Sequence, residues 1–408
     1  MIRLQPAVEP RTRSDRPSRI GLAVAGGGPL GGIYELGVLL ALEESLEGVT
    51  FVDLDAYVGV SSGAFIAASL ANQLSPQQMA RIFIHSEAPE HPFRPEMFLK
   101  LAFGEYGKRA SRIPGVVWRA LMEIAKRPLD LSLTGQLALL AELIPSGIFD
   151  NEELAAFLRD IYSVPGRTND FRELERRLVI VAVDIDTGVA IRFGTEGLDH
   201  VPISRAVQAS AALPGLYPPV EIDGHFFVDG ALRRTLHASA ALNEGVDLLI
   251  GLNPLVPYDG KRDDFSPKDS LTQGGLPTVL SQTFRAMIQS RMQVGVQKYS
   301  AQYPRADLMI VEPARDDTEM FFTNVFSYSS RHRLCEHAYQ ATRADLRSGK
   351  HRIAPLLARH NITLNTDVLA QSDRTFMTGI EEGSSNVLAA KLNRVLDDLE
   401  SKIDGRRA

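Results

Sequence analysis

The sequence predicts an α/β fold that is built around a mostly parallel central sheet. Short apolar runs alternate with helix-forming stretches between residues 20 and 70, and a glycine-rich turn closes each apolar run. Alternation on this length scale is typical of parallel strands that are covered by helices on both faces. The chain has 408 residues, of which 44% are hydrophobic and 23% are charged. This composition is that of a globular protein with a substantial core, and the length allows more than one domain.

The first predicted strand covers residues 20–25 and leads directly into a glycine-rich turn at residues 26–32. A helix is predicted to follow over residues 33–46, where leucine recurs at helical spacing. The glycines leave several backbone N–H groups without side chains around them. Such a turn suits the binding of a negatively charged oxygen.

The second predicted strand covers residues 56–60 and leads into Gly59-Val60-Ser61-Ser62-Gly63 and an alanine-rich helix over residues 62–72. This spacing, between a strand and a helix, is that of a nucleophile elbow, in which flanking glycines allow a sharp bend beneath an exposed serine. Ser61 is therefore a candidate nucleophile. Ser61 could also cap the following helix, and the two roles are compatible.

Further strands are predicted at residues 178–185, 225–228, 248–252 and 308–311. The strand at 225–228 is followed by Asp229 and then Gly230, so this carboxylate is predicted to emerge at a strand end, where parallel sheets gather their chemistry. Asp223 lies close by, but it precedes the strand and is typical of the turn that opens it. Residues 209–220 contain three prolines and a glycine, which predicts a rigid irregular segment leading toward Asp229.

Two stretches interrupt the alternation of strands and helices. Residues 88–147 combine aromatic and basic side chains and predict a helical insertion. One interpretation is a cap that packs its apolar side on the core, with its basic side chains extending into solvent. The other is a segment that lies at a membrane surface, with its rings among the headgroups and its cations on anionic lipid. Residues 256–277 are rich in proline, glycine and charged residues and predict a long surface loop.

The two ends of the chain differ from its central part. Residues 1–18 hold several arginines and no apolar run, which predicts a flexible N-terminal tail and not a secretory signal. Residues 316–408 predict a mainly helical C-terminal extension. Within it, residues 384–403 place apolar side chains at helical spacing, as in a helix laid on the body or one that forms a homodimer.

Composition indicates which partners and which cellular compartment the protein is expected to have. A net charge of −6 argues against a nucleic-acid-binding protein. There is no run of about 18–20 apolar residues, so a membrane-spanning helix is not expected. Cys335 is the only cysteine, which precludes an internal disulfide and fits a cytoplasmic location. Its helical surroundings predict a small buried core residue and not a reactive thiol.

A serine nucleophile needs a base, and the residues alone leave its identity open. None of the nine histidines has a local setting that singles it out. A Ser-Asp-His triad would draw on one of the late histidines, which are His332, His337, His351 and His360. A different interpretation is dinucleotide binding, because Gly26, Gly28 and Gly31 fit the Gly-x-Gly-x-x-Gly pattern and Asp53 follows about 20 residues later. That interpretation leaves the serine and aspartate motifs without a role.

Four of these motifs, in this order, resemble the patatin-like phospholipase family. They are the glycine-rich turn from Gly26 to Gly31, the elbow Gly59-Val60-Ser61-Ser62-Gly63, the segment Ala-Ser-Ala-Ala-Leu-Pro-Gly at residues 209–215, and Asp229-Gly230-Ala231. Asp184-Ile185-Asp186-Thr187-Gly188 is also similar to the family's central strand and turn. The resemblance covers roughly residues 18–315.

The resemblance implies a patatin-like three-layer α/β sandwich. The catalytic domain would cover residues 19–315, with residues 88–147 as its helical cap insertion. The activity implied is that of a serine lipid acyl hydrolase, of the phospholipase A or esterase type. Such an enzyme needs no cofactor and no metal ion. Its expected partners are a lipid or ester substrate and a peripheral membrane surface.

The family's site residues carry over motif by motif. Ser61 would be the nucleophile and Asp229 its general base, in a dyad that uses no histidine. Gly26, Gly27 and Gly28 would form the oxyanion hole through their backbone N–H groups. Since the dyad contains no histidine, no histidine of this chain needs a special setting.

The chain departs from the family pattern at two places. Leu30 stands where the family usually has arginine or lysine, which removes positive charge beside the turn but leaves the backbone N–H groups. The segment from Arg233 to His237 stands where the family tends to have asparagine and proline, which leaves the packing behind Asp229 open. Leu30 alone hints at the alternative function, that of a lipid-binding or scaffolding member that kept the fold and lost catalysis.

Overall fold

The computed structural model describes residues 1–9, 16–84, 100–126, 143–234, 236–260, 271–323 and 328–381. The strands are β1 (Ile2–Gln5), β2 (Ile20–Val24), β3 (Leu46–Glu47), β4 (Ala56–Val60), β5 (Arg177–Asp184), β6 (Ala190–Phe193), β7 (Val220–Ile222), β8 (His225–Asp229), β9 (Leu248–Leu252), β10 (Asp307–Val311) and β11 (Thr363–Leu364). The α-helices are α1 (Gly28–Ser45), α2 (Ser62–Ala71), α3 (Pro76–Phe83), α4 (Phe103–Lys126), α5 (Glu152–Tyr162), α6 (Ile203–Ser210), α7 (Ala238–Asn243), α8 (Gly275–Gln302), α9 (Thr318–Phe322), α10 (Tyr328–Ser348), α11 (Lys350–Ala358) and α12 (Thr366–Ala370).

The main sheet of the described chain has the hydrogen-bonded order β1-β10-β9-β2-β4-β5-β8-β7, and β6 also pairs with β5, at residues 180–183. The five strands β10, β9, β2, β4 and β5 run parallel. Antiparallel strands complete both edges: β1 pairs with β10, and β8 pairs with β5 and β7. The parallel strands place their carboxyl ends at one edge, which is the edge that carries the glycine-rich turn and Ser61.

Helices cover both faces of this sheet. Every residue of β2, β4 and β9 is buried, as expected for parallel strands with helices on both sides. Leu22 and Val24 belong to one core together with α1, α2, α5, α6 and α10. Ala23 and Ala25 belong to a second core on the opposite face, to which α7 and α8 contribute. The predicted three-layer α/β sandwich with a mostly parallel sheet is confirmed.

The predicted strands and the second helix occur where the sequence places them, whereas the first helix is longer than predicted. The strand predicted at 248–252 matches β9, and those at 178–185, 225–228 and 308–311 agree within one residue with β5, β8 and β10. The helix predicted from residue 33 begins earlier, because α1 already starts at Gly28. Proline in its first turn supports that early start, since the φ angle of proline is compatible with a helix and its missing N–H is not needed there.

The N-terminal residues differ from the flexible tail that the sequence predicts. Ile2–Gln5 form the edge strand β1, and Ile2 is buried against the core. Backbone pairing with β10 satisfies the hydrogen bonds of this short segment. Residues 10–15 of the predicted tail lie outside the described residues.

The predicted surface loop at residues 256–277 is wrong in its last part. Helix α8 already begins at Gly275, which has a φ of 69°, and Pro277 lies in its first turn. Proline is tolerated in a first turn, so its presence here does not indicate a loop. Residues 261–270 lie outside the described residues.

The described parts of the insertion and of the C-terminal extension are mainly helical. Helix α4 crosses the predicted insertion as one helix, and Pro114 lies within it. Helices α9 to α12 follow residue 316. The amphipathic helix predicted at 384–403, with the homodimer that it suggests, lies outside the described residues.

Candidate active site

Ser61 occupies a strained bend between β4 and α2. Its backbone has φ 53° and ψ −123°, a conformation that costs a non-glycine residue free energy and is typical of functional sites. The flanking glycines permit the bend. A Cβ on Gly63 would lie 2.3 Å from the carbonyl oxygen of Val24, and one on Gly59 would lie 2.4 Å from Ala64 Cα. Ser61 therefore has the backbone geometry of a nucleophile elbow, and its side chain is buried.

Ser210 holds the backbone of this bend. The Ser61 N–H donates to Ser210 Oγ at 2.8 Å, and Ser210 Oγ donates to the carbonyl oxygen of Val181 at 2.6 Å. The hydroxyl thus connects the elbow to β5 from the end of α6. Sequence reasoning missed this role, although Ser210 lies in the segment at 209–215 that carried the resemblance.

The glycine-rich turn lies directly against Ser61. A Cβ on Gly26 would lie 2.9 Å from Ser61 Cβ and 3.1 Å from Ala231 Cβ. Gly26 therefore lies between Ser61 and Ala231, and the space there is too small for a side chain on residue 26. The three motifs of the sequence meet at this point.

Helix α1 begins within the same turn. Gly27 is its N-cap, and Gly28, its first residue, has a φ of 61°. The N–H groups of a first helical turn have no partner within the helix and attract negative charge. Pro254 supports the turn from behind, 2.6 Å from the position of a Cβ on Gly27, whereas nothing lies within 4 Å of that position on Gly28. The turn is packed on one side and open at Gly28.

Asp229 ends β8 and is buried beside Ser61. Its N–H donates to the carbonyl oxygen of Ala212 at 2.9 Å, and its Oδ1 accepts the Ala231 N–H at 2.8 Å. Burial raises the pKa of this carboxyl to about 6, although hydrogen bonds from the Ser61 hydroxyl and the Ala231 N–H act to lower it. The structure thus brings Ser61 and Asp229, which are far apart in the sequence, into one hydrogen-bonded pair.

Two further buried side chains adjoin the motifs. His237 hydrogen-bonds to the carbonyl of Gly230, and burial lowers the pKa of its ring to about 3, so this histidine is neutral. It supports the loop behind Asp229, whose packing the sequence left open. On α1, burial raises the pKa of Glu35 well above its usual range, and the nearby Ser62 hydroxyl offsets this only in part. Neither residue could be assigned a role from sequence.

The late histidines have other partners. His360 Nε2 lies 2.9 Å from Asp307 Oδ2 at the amino end of β10, and His337 Nε2 lies 2.8 Å from Asp317 Oδ2. The ring of His332 packs against Phe376. His351 is exposed on α11. None of these contacts involves Ser61, so the geometry does not support a histidine triad.

The dinucleotide interpretation is not supported either. Asp53 precedes β4 and pairs with Arg176, so it lies at the amino edge of the sheet. The glycine-rich turn follows β2 and lies at the carboxyl edge. A ribose-binding acid would have to reach the same edge as the glycines.

Leu30 and Cys335 have simple structural roles. Leu30 is partly buried and packs on the core beneath α1. Cys335 is fully buried in α10, and burial raises the pKa of its thiol.

Among the described residues there is no cluster of three acidic, histidine or cysteine side chains that could hold a metal ion. None of the described helices combines the length and apolar character needed to cross a bilayer.

The chain is similar to several solved structures. VipD from Legionella pneumophila is 15% identical, with a TM-score of 0.36, and the match covers 81% of this chain and 67% of that one. Human GIVD cytosolic phospholipase A2 in complex with methyl gamma-linolenyl fluorophosphonate is 11% identical, with a TM-score of 0.33 and coverage of 84% and 60%. ExoU of Pseudomonas aeruginosa, in complex with SpcU, is 16% identical, with a TM-score of 0.26 and coverage of 72% and 54%.

The chain thus spans about two thirds or less of the length of these proteins. The family of the chain is shown by a match to a family model. The family model described as patatin-like phospholipase matches residues 22–242, which is more than half of the chain and includes the glycine-rich turn, Ser61 and Asp229. The chain therefore belongs to the patatin-like phospholipase family.

Proposed function

We propose that this protein is a serine lipid acyl hydrolase that cleaves fatty-acyl esters with a Ser61–Asp229 dyad. Family membership supports the general class, that of a lipid acyl hydrolase. One observation supports the more specific proposal of a Ser61–Asp229 dyad. The Ser61 hydroxyl, at a strained elbow, hydrogen-bonds to a buried carboxyl whose pKa is raised to about 6.

In the first step Asp229 acts as the general base. It accepts the Ser61 proton while Ser61 Oγ attacks the ester carbonyl carbon, and a tetrahedral intermediate forms. A base is most effective when its pKa lies near the working pH. Burial raises the pKa of Asp229 toward neutrality, so this carboxylate is a stronger base than an exposed aspartate and is still ionised near pH 7.

The glycine-rich turn stabilises the oxyanion of that intermediate. The backbone N–H groups of Gly26, Gly27 and Gly28 are the proposed donors, assisted by the positive end of α1. One well-aimed donor contributes about 3–4 kcal/mol to the transition state. These donors are backbone groups, so Leu30 does not remove them.

The second half of the reaction regenerates the serine. Asp229 passes its proton to the leaving alcohol or lysolipid oxygen, and an acyl-serine ester remains. Asp229 then takes a proton from water, the water oxygen attacks the acyl carbon, and the fatty acid leaves as the proton returns to Ser61. No described side chain other than the dyad is required for proton transfer.

A substrate panel tests the proposal. The full chain is assayed with a short-chain nitrophenyl ester, a phospholipid and a neutral glyceride. Ser61→Ala should abolish hydrolysis of every substrate, and Asp229→Asn should lower kcat by roughly 10⁴, the effect of removing the orienting carboxylate in a serine protease.

The chain offers matched controls for this panel. Ser163→Ala and Asp223→Asn change an exposed serine and an exposed aspartate outside the site and should leave kcat unchanged. Wild-type rates in Ser61→Ala or Asp229→Asn would contradict the dyad. If the wild-type chain hydrolyses none of the esters, the alternative of a non-catalytic lipid-binding protein replaces the proposal. The cytoplasmic location inferred from the single cysteine remains a prediction that this panel does not address.

A further inference from the structure

The outer face of α8 is apolar although it is exposed. The inner face of this helix packs on the second core through Met292 and Tyr299. On the opposite side Leu280, Phe284, Met287 and Val294 recur at helical spacing, and each is between 42% and 51% exposed. A contiguous apolar stripe on the surface of a protein marks an interaction site more often than isolated apolar residues do.

The same helix has an unusual charge. Residues 275–302 contain two arginines and one lysine and no aspartate or glutamate, whereas the whole chain has a net charge of −6. Arg291 and Lys298 lie on the outer face, which they share with the apolar stripe. Cations beside exposed apolar side chains are typical of helices that lie on anionic lipid.

Helix α8 is attached to both halves of the candidate active site. Arg291 Nη1 donates to the carbonyl oxygen of Leu232, three residues after Asp229, at 3.2 Å. Arg285 Nη1 donates to the carbonyl oxygen of Val256 at 3.3 Å. Val256 follows Pro254, which packs against the oxyanion turn at Gly27. The outer face of α8 is thus fixed relative to the catalytic groups.

Helix α4 presents a second face of the same kind. Phe103, Ile113, Val117 and Trp118 are exposed on it, and the helix sequence has five lysines or arginines and two glutamates. Its first turn is tied to the segment before Asp229: Ser146 Oγ donates to Glu105 Oε1 at 2.9 Å, and the Gly215 N–H donates to the carbonyl oxygen of Ser146 at 3.3 Å.

We propose that the exposed faces of α8 and α4 together form a docking surface for an anionic phospholipid bilayer. Charge complementarity selects this partner, because two net-positive apolar helices occur on a chain that is negative as a whole. Both helices are attached to loops next to Ser61 and Asp229, so docking brings the site to the membrane surface. Only the statement that docking brings the active site to its substrate rests on the proposed function. Membrane binding itself can be measured with a catalytically inactive variant.

Vesicle flotation tests the docking surface. The full chain carrying Ser61→Ala, which prevents turnover, is mixed with vesicles of phosphatidylcholine alone or of phosphatidylcholine and phosphatidylserine in equal parts. We expect binding to the mixed vesicles, weakened by added salt and much weaker on phosphatidylcholine alone. Adding Phe284→Ser should weaken binding by about tenfold, because an aromatic side chain no longer inserts.

Two matched variants act as controls. Val8→Ser changes an exposed apolar residue at the amino edge of the sheet, near Pro304, and should bind as the parent does. Lys298→Glu should weaken binding to the mixed vesicles, whereas Lys350→Glu, on α11, should not. Equal effects of Phe284→Ser and Val8→Ser, or no vesicle binding by the parent, would overturn the proposal.

The remaining outcomes separate this proposal from others. Sedimentation of the parent and of Phe284→Ser identifies self-association: a dimer that the variant dissociates, with vesicle binding unchanged, makes this face a subunit interface and overturns the membrane proposal. In the catalytically intact chain, Phe284→Ser should keep wild-type hydrolysis of a short-chain nitrophenyl ester in solution. Vesicle binding by a chain that hydrolyses no ester would refute the proposed function and leave the docking surface standing.

Discussion

Asp229 is the residue on which the proposed chemistry depends most. Its carboxyl is buried and has few hydrogen bonds for a charged group, so burial outweighs them and its pKa rises to about 6. An ionised Asp229 can act as a base near neutral pH, but its burial makes the ionised form unfavourable in the folded protein. This has two measurable consequences.

The first consequence is the pH dependence of hydrolysis. Asp229 must be ionised to accept the Ser61 proton, so kcat/KM for a soluble ester should rise with pH through about 6 and level off above it. A stopped assay over a range of pH values on the full chain measures the apparent pKa. A profile that is flat between pH 4 and 8 would show that another group acts as the base.

The second consequence concerns stability. Because the folded pKa of Asp229 is raised from 3.8 to about 6, the folded state holds a proton that the unfolded state has released between those pH values. The contribution of this group to stability is therefore present at low pH and is lost as the pH rises through about 6. Asp229→Asn should be more stable than wild type at pH 7, by at most roughly 3 kcal/mol, and equally stable near pH 4. Urea unfolding at the two pH values tests the difference, and a variant that is less stable at pH 7 would contradict it.

Ser210 controls the position of the nucleophile and not its chemistry. Ser210→Ala would leave the buried N–H of Ser61 without its acceptor, at a cost of about 1–3 kcal/mol. We expect a lower thermal midpoint and a lower kcat with an unchanged pH profile. Wild-type kcat in this variant would show that the elbow does not depend on the hydroxyl.

The strand-to-helix turns are the elements that make the site. Gly26→Ala should lower kcat by about 10² or more, because its methyl group would meet Ser61 Cβ at 2.9 Å and displace a proposed oxyanion donor. Gly32→Ala, within α1, is the matched control, because its methyl group has only Ser62 Cβ near it, at 3.5 Å. That variant should keep activity and gain helix stability. Equal kcat values for the two variants would argue against a close approach at Gly26.

The same elements show how far the sequence determines the fold. The strands β2, β4 and β9 are short, continuous apolar runs, glycine-containing turns follow β2 and β4, and proline follows β9. Such local signals suffice to place them. Helix α8 was missed because its apolar residues lie on two opposite faces, toward the core and outward, so no single helical period stands out. Strand β1 was missed because four residues of an edge strand carry too weak a pattern to distinguish them from a tail.

Across the whole molecule, the candidate site depends on contacts that no local pattern contains. Ser61 and Ser210 are 149 positions apart, yet they share a hydrogen bond. Sequence motifs identified Ser61 and Asp229 as candidates, and their meeting follows from the strand register, because β5 pairs Val181 with Val60, the residue before Ser61, and the next residue, Ala182, with Asp229. The roles of Ser210 and His237 could not be predicted, because each is defined by a partner that the fold brings near.

Labelling with a fluorophosphonate probe shows whether Ser61 is a nucleophile that Asp229 activates. The full chain is treated with the probe, and the modified residue is located by intact-mass and peptide mass spectrometry. We expect one adduct, on Ser61, that is lost in Ser61→Ala and forms far more slowly in Asp229→Asn. An unlabelled Ser61, or labelling of Ser61 at the same rate in Asp229→Asn, would contradict it.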